Sequence, residues 1–230
     1  MKTLEDFKNG QLVLIDKPLE WTSFQVVNKI RWHVKKRFNI KKIKVGHAGT
    51  LDPLATGLLI ICTGKMTKQI QGYQGQVKTY TGTITLGSTT PSFDLETPID
   101  ATFSTSHITA DLIYQATKHF VGEISQYPPI FSALKKDGKR LYELARAGVS
   151  VAVEPRKIQI EEFKITRIDN LKINFEVRCS KGTYIRSLAH DFGKALNCGA
   201  HLSELRRTKI GDCSVEDAIS IETFIENLTS

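Results

Sequence analysis

The most informative stretch of the sequence is G-H-A-G-T-L-D-P-L-A-T-G, residues 46–57. Asp52 is the only acidic residue in the interval 21–93, which holds eleven lysines and arginines. Nearby cations favour the charged form of a carboxyl group, so we expect Asp52 to be ionised. Apolar neighbours on both sides should limit its hydration, which suits a nucleophile or a base. The structural alternative is an aspartate that caps the turn before Pro53.

Four other motifs accompany this loop in a fixed order. They are L-I-D-K-P at 14–18, Y-P-P at 127–129 with S-A-L-K at 132–135, C-S-K-G-T-Y-I-R at 179–186, and C-G-A-H at 198–201 with L-R-R-T at 205–208. Together with the Asp52 loop, this ordered set resembles the pseudouridine synthase B family, whose members make pseudouridine in the T arm of tRNA. The resemblance extends from about residue 12 to residue 210 and so covers nearly the whole chain.

Composition places the chain among ordinary globular proteins, with 230 residues, 40% hydrophobic and 24% charged. The formal net charge of +8 predicts a polyanionic partner, most simply nucleic acid. The four cysteines form no C-x-x-C pair and show no metal-ligand spacing with histidine. We therefore expect a cytoplasmic protein with reduced thiols. The reaction that the resemblance implies is an isomerisation, which needs no metal and no cofactor. The sequence shows no signal peptide and no apolar run of membrane length.

The periodicity of apolar residues predicts strands and helices without the regular alternation of a parallel sheet. Strands are predicted at 12–15, 77–86, 157–168 and 171–179, and helices from Thr22 or Ser23 to about 38, at 109–120, 141–147, 184–196 and 221–228. This order predicts an α+β fold with a largely antiparallel sheet. The resemblance implies the pseudouridine synthase fold, a mixed central sheet flanked by helices with an RNA-binding cleft. We expect one catalytic domain over residues 1–230, in a short bacterial form without the C-terminal RNA-binding domain (PUA type) of longer relatives.

The resemblance implies three catalytic residues. Asp52 is implied as the nucleophile, and Arg186 matches the arginine that pairs with this carboxylate, which a planar guanidinium can contact through two hydrogen bonds. Tyr80 matches an active-site tyrosine that stacks on the target base and can touch the sugar. Without the motifs, Arg186 could be a surface residue at a helix start and Tyr80 a core residue on a strand.

The resemblance also implies residues that contact RNA. The target base lies inside the folded T loop and must be flipped out, and His47 matches the histidine that fills the vacated space. Lys17, Lys135 and Arg206 are expected to contact phosphates, which give affinity without sequence information. Tyr184 is interpreted either as a wall of the site or as a structural residue.

A basic run at residues 29–44 contains eight lysines and arginines and no acid. Such a run can bind RNA phosphates or can form a solvated helix face. The lysines that we expect to contact phosphates are Lys35, Lys36, Lys41, Lys42 and Lys44.

Three other functions compete with a pseudouridine synthase that acts on the T arm of tRNA. A tRNA-folding protein without chemistry would be expected to lose Asp52 or Arg186. A metal-dependent hydrolase needs more than one isolated carboxylate. A guide-RNA-dependent synthase would carry a further C-terminal domain. We therefore expect a monomer that acts on tRNA, with no membrane, obligate protein partner or guide RNA.

Overall fold

The computed structural model describes residues 2–132, 134–136, 138–149, 151 and 153–229. The chain divides into two compact units. The first unit comprises Met1–Tyr80 and Leu205–Ser230, and the second comprises Thr81–Glu204. That residues 1–230 act as one catalytic domain stays a prediction. Within the described ranges, no helix combines the length and the apolar character needed to cross a membrane.

Strands and helices alternate irregularly along the chain. The strands are β1 (Leu12–Lys17), β2 (Val45–His47), β3 (Ala55–Thr63), β4 (Lys78–Leu86), β5 (Ser88–Thr89), β6 (Ala101–Thr102), β7 (Gly122–Gln126), β8 (Lys135–Lys136), β9 (Lys139–Arg140), β10 (Arg156–Asp169), β11 (Lys172–Cys179), β12 (Ala200–Ile210) and β13 (Cys213–Ser214). The α-helices are α1 (Leu4–Asn9), α2 (Ser23–Arg37), α3 (Ile70–Gly75), α4 (Ala110–Thr117), α5 (Leu141–Arg146), α6 (Ile185–Ala195) and α7 (Ile221–Thr229). Short 3-10 helices cover Gly64–Gln69, Lys118–Phe120 and Val215–Asp217.

In the first unit, β3 lies between β1 and β12, in the order β1-β3-β12-β4. β1 runs antiparallel to β3, with Lys17 opposite Gly57. β12 runs parallel beside the N-terminal end of β3, where Arg207 is also opposite Gly57. β2 is antiparallel beside the other end, with Val45 opposite Thr63. The two ends of β3 therefore have different neighbours on the same edge.

In the second unit, the strand order is β12-β4-β11-β10-β7. β10 pairs antiparallel with both β11 and β7. In the part of the chain that the structure describes, the β1–β3, β2–β3, β10–β11 and β7–β10 pairs are antiparallel and the β3–β12 pair is parallel. The prediction of an α+β fold with a mixed, largely antiparallel sheet is confirmed.

Helix α2 forms where the sequence predicts it and buries a stripe of apolar residues. The side chain of Thr22 accepts a hydrogen bond from the backbone of Gln25, whose side chain accepts one from the backbone of Thr22, forming a capping box. Val27, Ile30 and Val34 are buried together with residues of α1, β1, β3 and α7. Burial of each such side chain contributes roughly 1.5–3 kcal/mol to folding. This packing fixes the segment that leads into the Asp52 loop.

The second unit is stabilised by a cluster of aromatic side chains around Phe163. The centre of this ring lies 6.3 Å from that of Phe120, 5.9 Å from that of Phe175 and 5.5 Å from that of Phe192. The rings meet edge to face, which is a favoured geometry because the ring edge is positive and the face negative. Phe192 belongs to α6, so the cluster fixes that helix against β10 and β11.

Candidate active site

The loop that carries Asp52 is held in place by backbone hydrogen bonds to the start of α2. The amide of Leu51 donates to the hydroxyl of Ser23 at 2.8 Å, and that hydroxyl donates to the carbonyl of Leu51 at 3.2 Å. The amide of Glu20 donates to the carbonyl of Pro53 at 2.9 Å. Leu51 is buried and Asp52 is half-buried, whereas Pro53 is exposed. Asp52 therefore lies on a loop that is fixed beside the start of α2.

Three residues on adjacent strands lie side by side where this loop enters the sheet. Gly57 on β3 is opposite Lys17 on β1 and opposite Arg207 on β12. Gly57 has φ +99°, and a Cβ atom there would collide with the backbone of Arg207. Glycine is therefore required at this position, both for the backbone angle and for the close approach of β12.

Lys17 is fully buried in the structure, and its contact with phosphate stays a prediction. Its Nζ donates to the carbonyls of Trp21 at 2.6 Å, Pro18 at 2.8 Å and Pro53 at 3.4 Å. The ammonium therefore has three acceptors inside the protein. A buried lysine is rare unless its charge is compensated, and here the three carbonyl groups provide that compensation.

Lys17 lies beside the Asp52 loop, since its Nζ donates to the carbonyl of Pro53 at 3.4 Å. Burial lowers the pKa of Lys17 from its ordinary value to about 8. The negative charge of Asp52 opposes this shift, and the positive charge of Arg207 adds to it. The structure thus brings Lys17 and the candidate nucleophile together, with the lysine inside the fold.

We expect Lys17→Met to lower the free energy of unfolding by about 3 kcal/mol, because three internal carbonyl groups lose their donor. Urea denaturation measures the change. The control is Lys29→Met, which alters an exposed position on α2 and should stay within about 0.5 kcal/mol of wild type. Equal stability of the two variants would contradict the structural role of Lys17.

Arg207 is a site residue that the sequence reasoning missed. It is buried, its Nε donates to the carbonyl of Leu58 at 2.8 Å, and its Nη2 donates to the carbonyl of Gly49 at 3.0 Å. Gly49 lies in the same loop as Asp52, so Arg207 fixes that loop from the β12 side. The available signal was the pair Arg206-Arg207, because adjacent strand residues point to opposite faces of a sheet.

Arg206, the other member of that pair, binds a carboxylate. Its Nη1 and Nη2 donate to Oδ1 and Oδ2 of Asp16 at 3.0 and 2.7 Å. Both side chains remain partly exposed. This two-pronged contact occupies the guanidinium in the structure, and contact of Arg206 with a phosphate stays a prediction.

His47 lies on β2 and is half-buried. Burial lowers its pKa below the ordinary histidine value, and the charge of Arg207 lowers it further. A hydrogen bond with the backbone of Gly49 acts in the opposite direction. The imidazole is therefore neutral at pH 7, which suits a group that fills space and does not need a charge.

Tyr80 and Lys135 are the remaining predicted site residues that lie before α6. Tyr80 lies on β4 in the first unit and is half-buried. Its stacking on a target base stays a prediction. The backbone of Lys135 belongs to β8, but its side chain lies outside the part of the chain whose side chains the structure describes.

Arg186 is buried at the start of α6 in the second unit. Its Nη1 donates to the carbonyl of Ser92 at 3.3 Å and its Nη2 donates to the carbonyl of Phe131 at 2.9 Å. Its Nε lies 3.7 Å from Oδ2 of Asp94, which is also buried. These contacts exclude the alternative of a surface arginine. Pairing of Arg186 with Asp52 stays a prediction.

Tyr184 precedes α6 and has structural contacts. Its amide donates to the side chain of Gln126 at 2.8 Å, and the same side chain donates to its carbonyl at 3.1 Å. The guanidinium carbon of Arg156 lies 5.3 Å from the centre of the tyrosine ring. These contacts favour the structural interpretation of Tyr184, and contact with RNA stays a prediction.

The donor set of the described residues does not suggest a metal centre. No group of three or more histidine, cysteine, aspartate or glutamate side chains is placed to hold a metal ion within that part of the chain.

Comparison with known protein families gives two adjacent matches. The model described as "TruB family pseudouridylate synthase (N terminal domain)" matches residues 35–185. The model described as "tRNA pseudouridylate synthase B C-terminal domain" matches residues 186–229.

Curated proteins called tRNA pseudouridine synthase B are similar over nearly their whole length. The protein from Flavobacterium johnsoniae is 62% identical over 227 residues, which cover 98% of this chain and 99% of that protein. The protein from Phocaeicola vulgatus is 55% identical over 221 residues, covering 96% and 94%.

Solved structures with a similar fold come from larger assemblies. A chain of a Cbf5-Nop10-Gar1 complex is 30% identical with a TM-score of 0.70, over 96% of this chain and 54% of that one. A chain of the archaeal box H/ACA sRNP Nop10-Cbf5 complex is 27% identical with a TM-score of 0.70, over 99% and 56%. The present chain thus spans about half the length of these structural neighbours.

Proposed function

Because the chain belongs to the TruB family of pseudouridylate synthases, we propose that it isomerises the uridine conventionally numbered 55 in the T loop of tRNA, with Asp52 as nucleophile. The chain is an isomerase that converts uridine in tRNA to pseudouridine. The observation that carries the assignment of Asp52 is its loop, which Ser23, Lys17 and Arg207 fix through hydrogen bonds. A loop fixed at several points positions a reacting group precisely enough for catalysis.

The reaction explains why a carboxylate is needed. The N-glycosidic bond breaks, the uracil rotates, and a bond forms between the ribose and carbon 5 of the base. Cleavage develops positive charge on the sugar, and a carboxylate beside it can stabilise this charge or bond to it. Three routes are open to this carboxylate: attack on the sugar, attack on the base, or removal of a ribose proton. Each of them needs Asp52 beside the target nucleotide.

Base flipping is the step assigned to His47. A base buried in a folded loop must leave its stack before an enzyme can reach the glycosidic bond. The lowered pKa of His47 keeps the imidazole neutral, so the ring can occupy an apolar gap without the cost of burying a charge. Tyr80 is proposed to stack on the flipped base.

We propose that the protein acts on the T arm as a monomer, in the cytoplasm, without a guide RNA or an obligate protein partner. Support comes from the curated relatives called tRNA pseudouridine synthase B, which align over 94–99% of their length. The complexes with Nop10 and Gar1 contain chains that this protein matches over only about half their length.

The test is incubation of purified protein with an unmodified tRNA transcript, followed by mapping of pseudouridine to single nucleotides. We expect one pseudouridine, in the T loop at the uridine numbered 55. Conversion at another position would contradict the site proposal, and binding without conversion would favour a tRNA-folding protein.

We expect His47→Ala to slow base flipping and to reduce single-turnover conversion by roughly tenfold, since flipping costs only a few kcal/mol and His47 performs no chemical step. Stopped-flow fluorescence of a tRNA labelled near the target base measures flipping separately from conversion. His47→Phe, which also fills space, should recover part of the rate. A His47→Ala variant as inactive as Asp52→Asn would contradict this role.

A further inference from the structure

A basic pocket lies in the first unit at the end of β3 that is remote from Asp52. Its volume is about 720 Å³. The residues that line it, here called the basic pocket, are Lys8, Arg31, Lys35, Lys41, Lys42, Ile43, Lys44, Gly64, Lys65, Thr67 and Lys68. Eight of these are lysine or arginine, and this described lining contains no aspartate or glutamate.

The walls of the basic pocket are built by specific contacts. Gly64 has φ +52°, and a Cβ atom there would collide with the backbone of α1 at Phe7 and Lys8. Glycine therefore lets α1 approach the end of β3. Arg31 donates to the carbonyl of Val45 at 2.9 Å, and so one wall is fixed to β2.

The basic pocket and the Asp52 loop are separated by the length of β3. Strand β3 begins at Ala55, shortly after Asp52, and it ends at Thr63, directly before Gly64. Nine strand residues span roughly 26 Å at about 3.3 Å per step. A ligand of the basic pocket is therefore remote from the reacting nucleotide.

The chemistry of the lining fits a chain of phosphates and does not fit a base. Ile43 is the apolar side chain in the described lining, and Thr67 provides its hydroxyl group. This hydroxyl already donates to the carbonyl of Gly64 at 2.8 Å. The described lining offers no aromatic ring for stacking and no amide side chain for reading a base edge. Lysine ammonium groups act as point charges that contact phosphates without sequence specificity.

Resting on the proposed function, we propose that the basic pocket binds backbone phosphates of the substrate tRNA outside the T arm, about 26 Å from the target uridine. This contact would make full-length tRNA a better ligand than its isolated T arm. Four of the five lysines predicted to contact phosphates line the basic pocket, and the fifth, Lys36, instead lies 4.8 Å from the ring centre of Trp32.

The test compares two RNAs and two triple variants. Lys41, Lys42 and Lys44 are replaced together by glutamine, and the control replaces the exposed Lys2, Lys118 and Lys172 in the same way. Affinities are measured at several salt concentrations for full-length unmodified tRNA and for a T-arm hairpin. A stem of about five base pairs extends only roughly 15 Å at about 3 Å per step.

For full-length tRNA, we expect the pocket variant to bind roughly tenfold more weakly at moderate salt. The slope of log affinity against log salt should fall by roughly 2 to 3, which corresponds to three lost phosphate contacts. Hairpin affinity should change by less than about twofold, and the control should resemble wild type on both RNAs. Superimposed plots of log affinity against log salt for wild type and pocket variant would overturn the proposal. An equal loss of affinity for full-length tRNA and hairpin would also overturn it, and so would an equal loss in the two triple variants.

Two further measurements separate this inference from neighbouring ones. Inorganic tripolyphosphate is added as a competitor of tRNA binding. If it displaces tRNA at a concentration below that of the RNA phosphates, the basic pocket binds a small polyphosphate and its assignment to tRNA is overturned. Wild-type conversion of uridine is measured in the same samples. Its absence would contradict the proposed function, whereas conversion with an unchanged salt slope contradicts only the role of the basic pocket.

A second, independent observation concerns a ring stack in the second unit. Phe93 and His190 are stacked, with ring centres 3.8 Å apart and planes 13° apart. Phe93 lies between Ser92 and Asp94, which both contact Arg186. His190 lies one helical turn after Arg186 on α6, and residues four apart share a helix face. The stack therefore attaches the loop that binds Arg186 to the helix that carries it.

Tertiary contacts hold the backbone of Phe93 in an unfavourable conformation. Phe93 has φ +66°, a left-handed conformation that is unfavourable for a bulky residue. Its amide donates to the carbonyl of Thr90 at 3.1 Å, and its carbonyl accepts from the amide of Leu202 at 2.9 Å. Burial lowers the pKa of His190 to about 4, with the charge of Lys194 acting in the same direction and that of Asp100 against it. The stacked imidazole is therefore neutral, as a phenyl ring would be.

Resting on the proposed function, the geometry points to Phe93 and His190 as positioning residues that hold Asp94 against Arg186. Phe93→Gly, which relieves the backbone strain but removes the ring, should lower kcat about tenfold with little change in KM, since small misplacements of catalytic groups are costly. His190→Ala should act similarly, whereas Phe93→Tyr and His190→Phe should keep the stack and most of the rate. Equal rates for His190→Ala and His190→Phe would overturn this role, as would a KM change in place of the kcat change; thermal melts confirm that each variant is folded.

Discussion

Asp52→Asn is expected to abolish conversion of uridine while leaving the fold and tRNA affinity intact. The amide is nearly isosteric with the carboxylate but is neither nucleophilic nor basic, so a loss of roughly 10,000-fold or more in single-turnover rate is expected for a group that bonds to the substrate. The hydrogen bonds that fix this loop use the backbone of Leu51 and Pro53 and do not need the carboxylate. The measurement is pseudouridine formed per enzyme at saturating tRNA.

A matched control for Asp52→Asn is Asp212→Asn, which makes the same chemical change at an exposed position of the first unit. It should convert uridine at the wild-type rate. Retention of a tenth of wild-type activity by Asp52→Asn would contradict the nucleophile assignment. Loss of tRNA binding in the same variant would show that Asp52 serves the RNA and not the chemistry.

The sequence predicts features that depend on local patterns. The stripe of α2, its cap at Thr22 and the paired strands β10 and β11 are encoded by neighbouring residues, and the structure confirms them with shifts of one or two positions. The 46–57 motif is local in the same sense. Its glycines and proline determine the backbone, so the loop that carries Asp52 could be recognised without a structure.

The sequence does not predict contacts that join distant segments. Strand β12 was not predicted, since its charged residues mask the alternation of a strand, and its partner β3 precedes it by about 150 residues. Arg207 was therefore overlooked although it fixes the Asp52 loop. No sequence pattern indicates that Lys17 is buried, since lysine is usually exposed, and only its three carbonyl partners show why this one lies inside the fold.

The same limit applies to the second unit. Residues 87–107 have little periodicity, and no local pattern connects them with α6. In the structure this segment supplies Ser92 and Asp94 to Arg186 and stacks Phe93 on His190. Irregular segments hold side chains through specific tertiary contacts, and such contacts leave no repeating pattern in the sequence.

Arg186→Lys keeps the charge and is nevertheless expected to lower single-turnover conversion by about 100-fold, which is typical of a small displacement in an active site. A guanidinium donates in a fixed planar arrangement to the carbonyls of Ser92 and Phe131 while its Nε faces Asp94. An ammonium on a shorter side chain cannot reach all three groups, and the buried acceptors that lose their donor should reduce the free energy of unfolding by about 1–3 kcal/mol.

The control for Arg186→Lys is Arg167→Lys, because Arg167 and Asp169 form an exposed ion pair at 3.0 Å and such pairs contribute little. Conversion and stability of this control should match wild type. The affinity of Arg186→Lys for tRNA should stay within about threefold of the wild-type affinity. Arg186 is buried and contacts protein groups in the second unit, whereas tRNA affinity comes mainly from contacts with phosphates. A near-normal single-turnover rate with the expected loss of stability would show that Arg186 only supports the fold. A normal single-turnover rate together with normal stability would mean that a positive charge at this buried position is sufficient. The planar arrangement of the guanidinium would then not be needed.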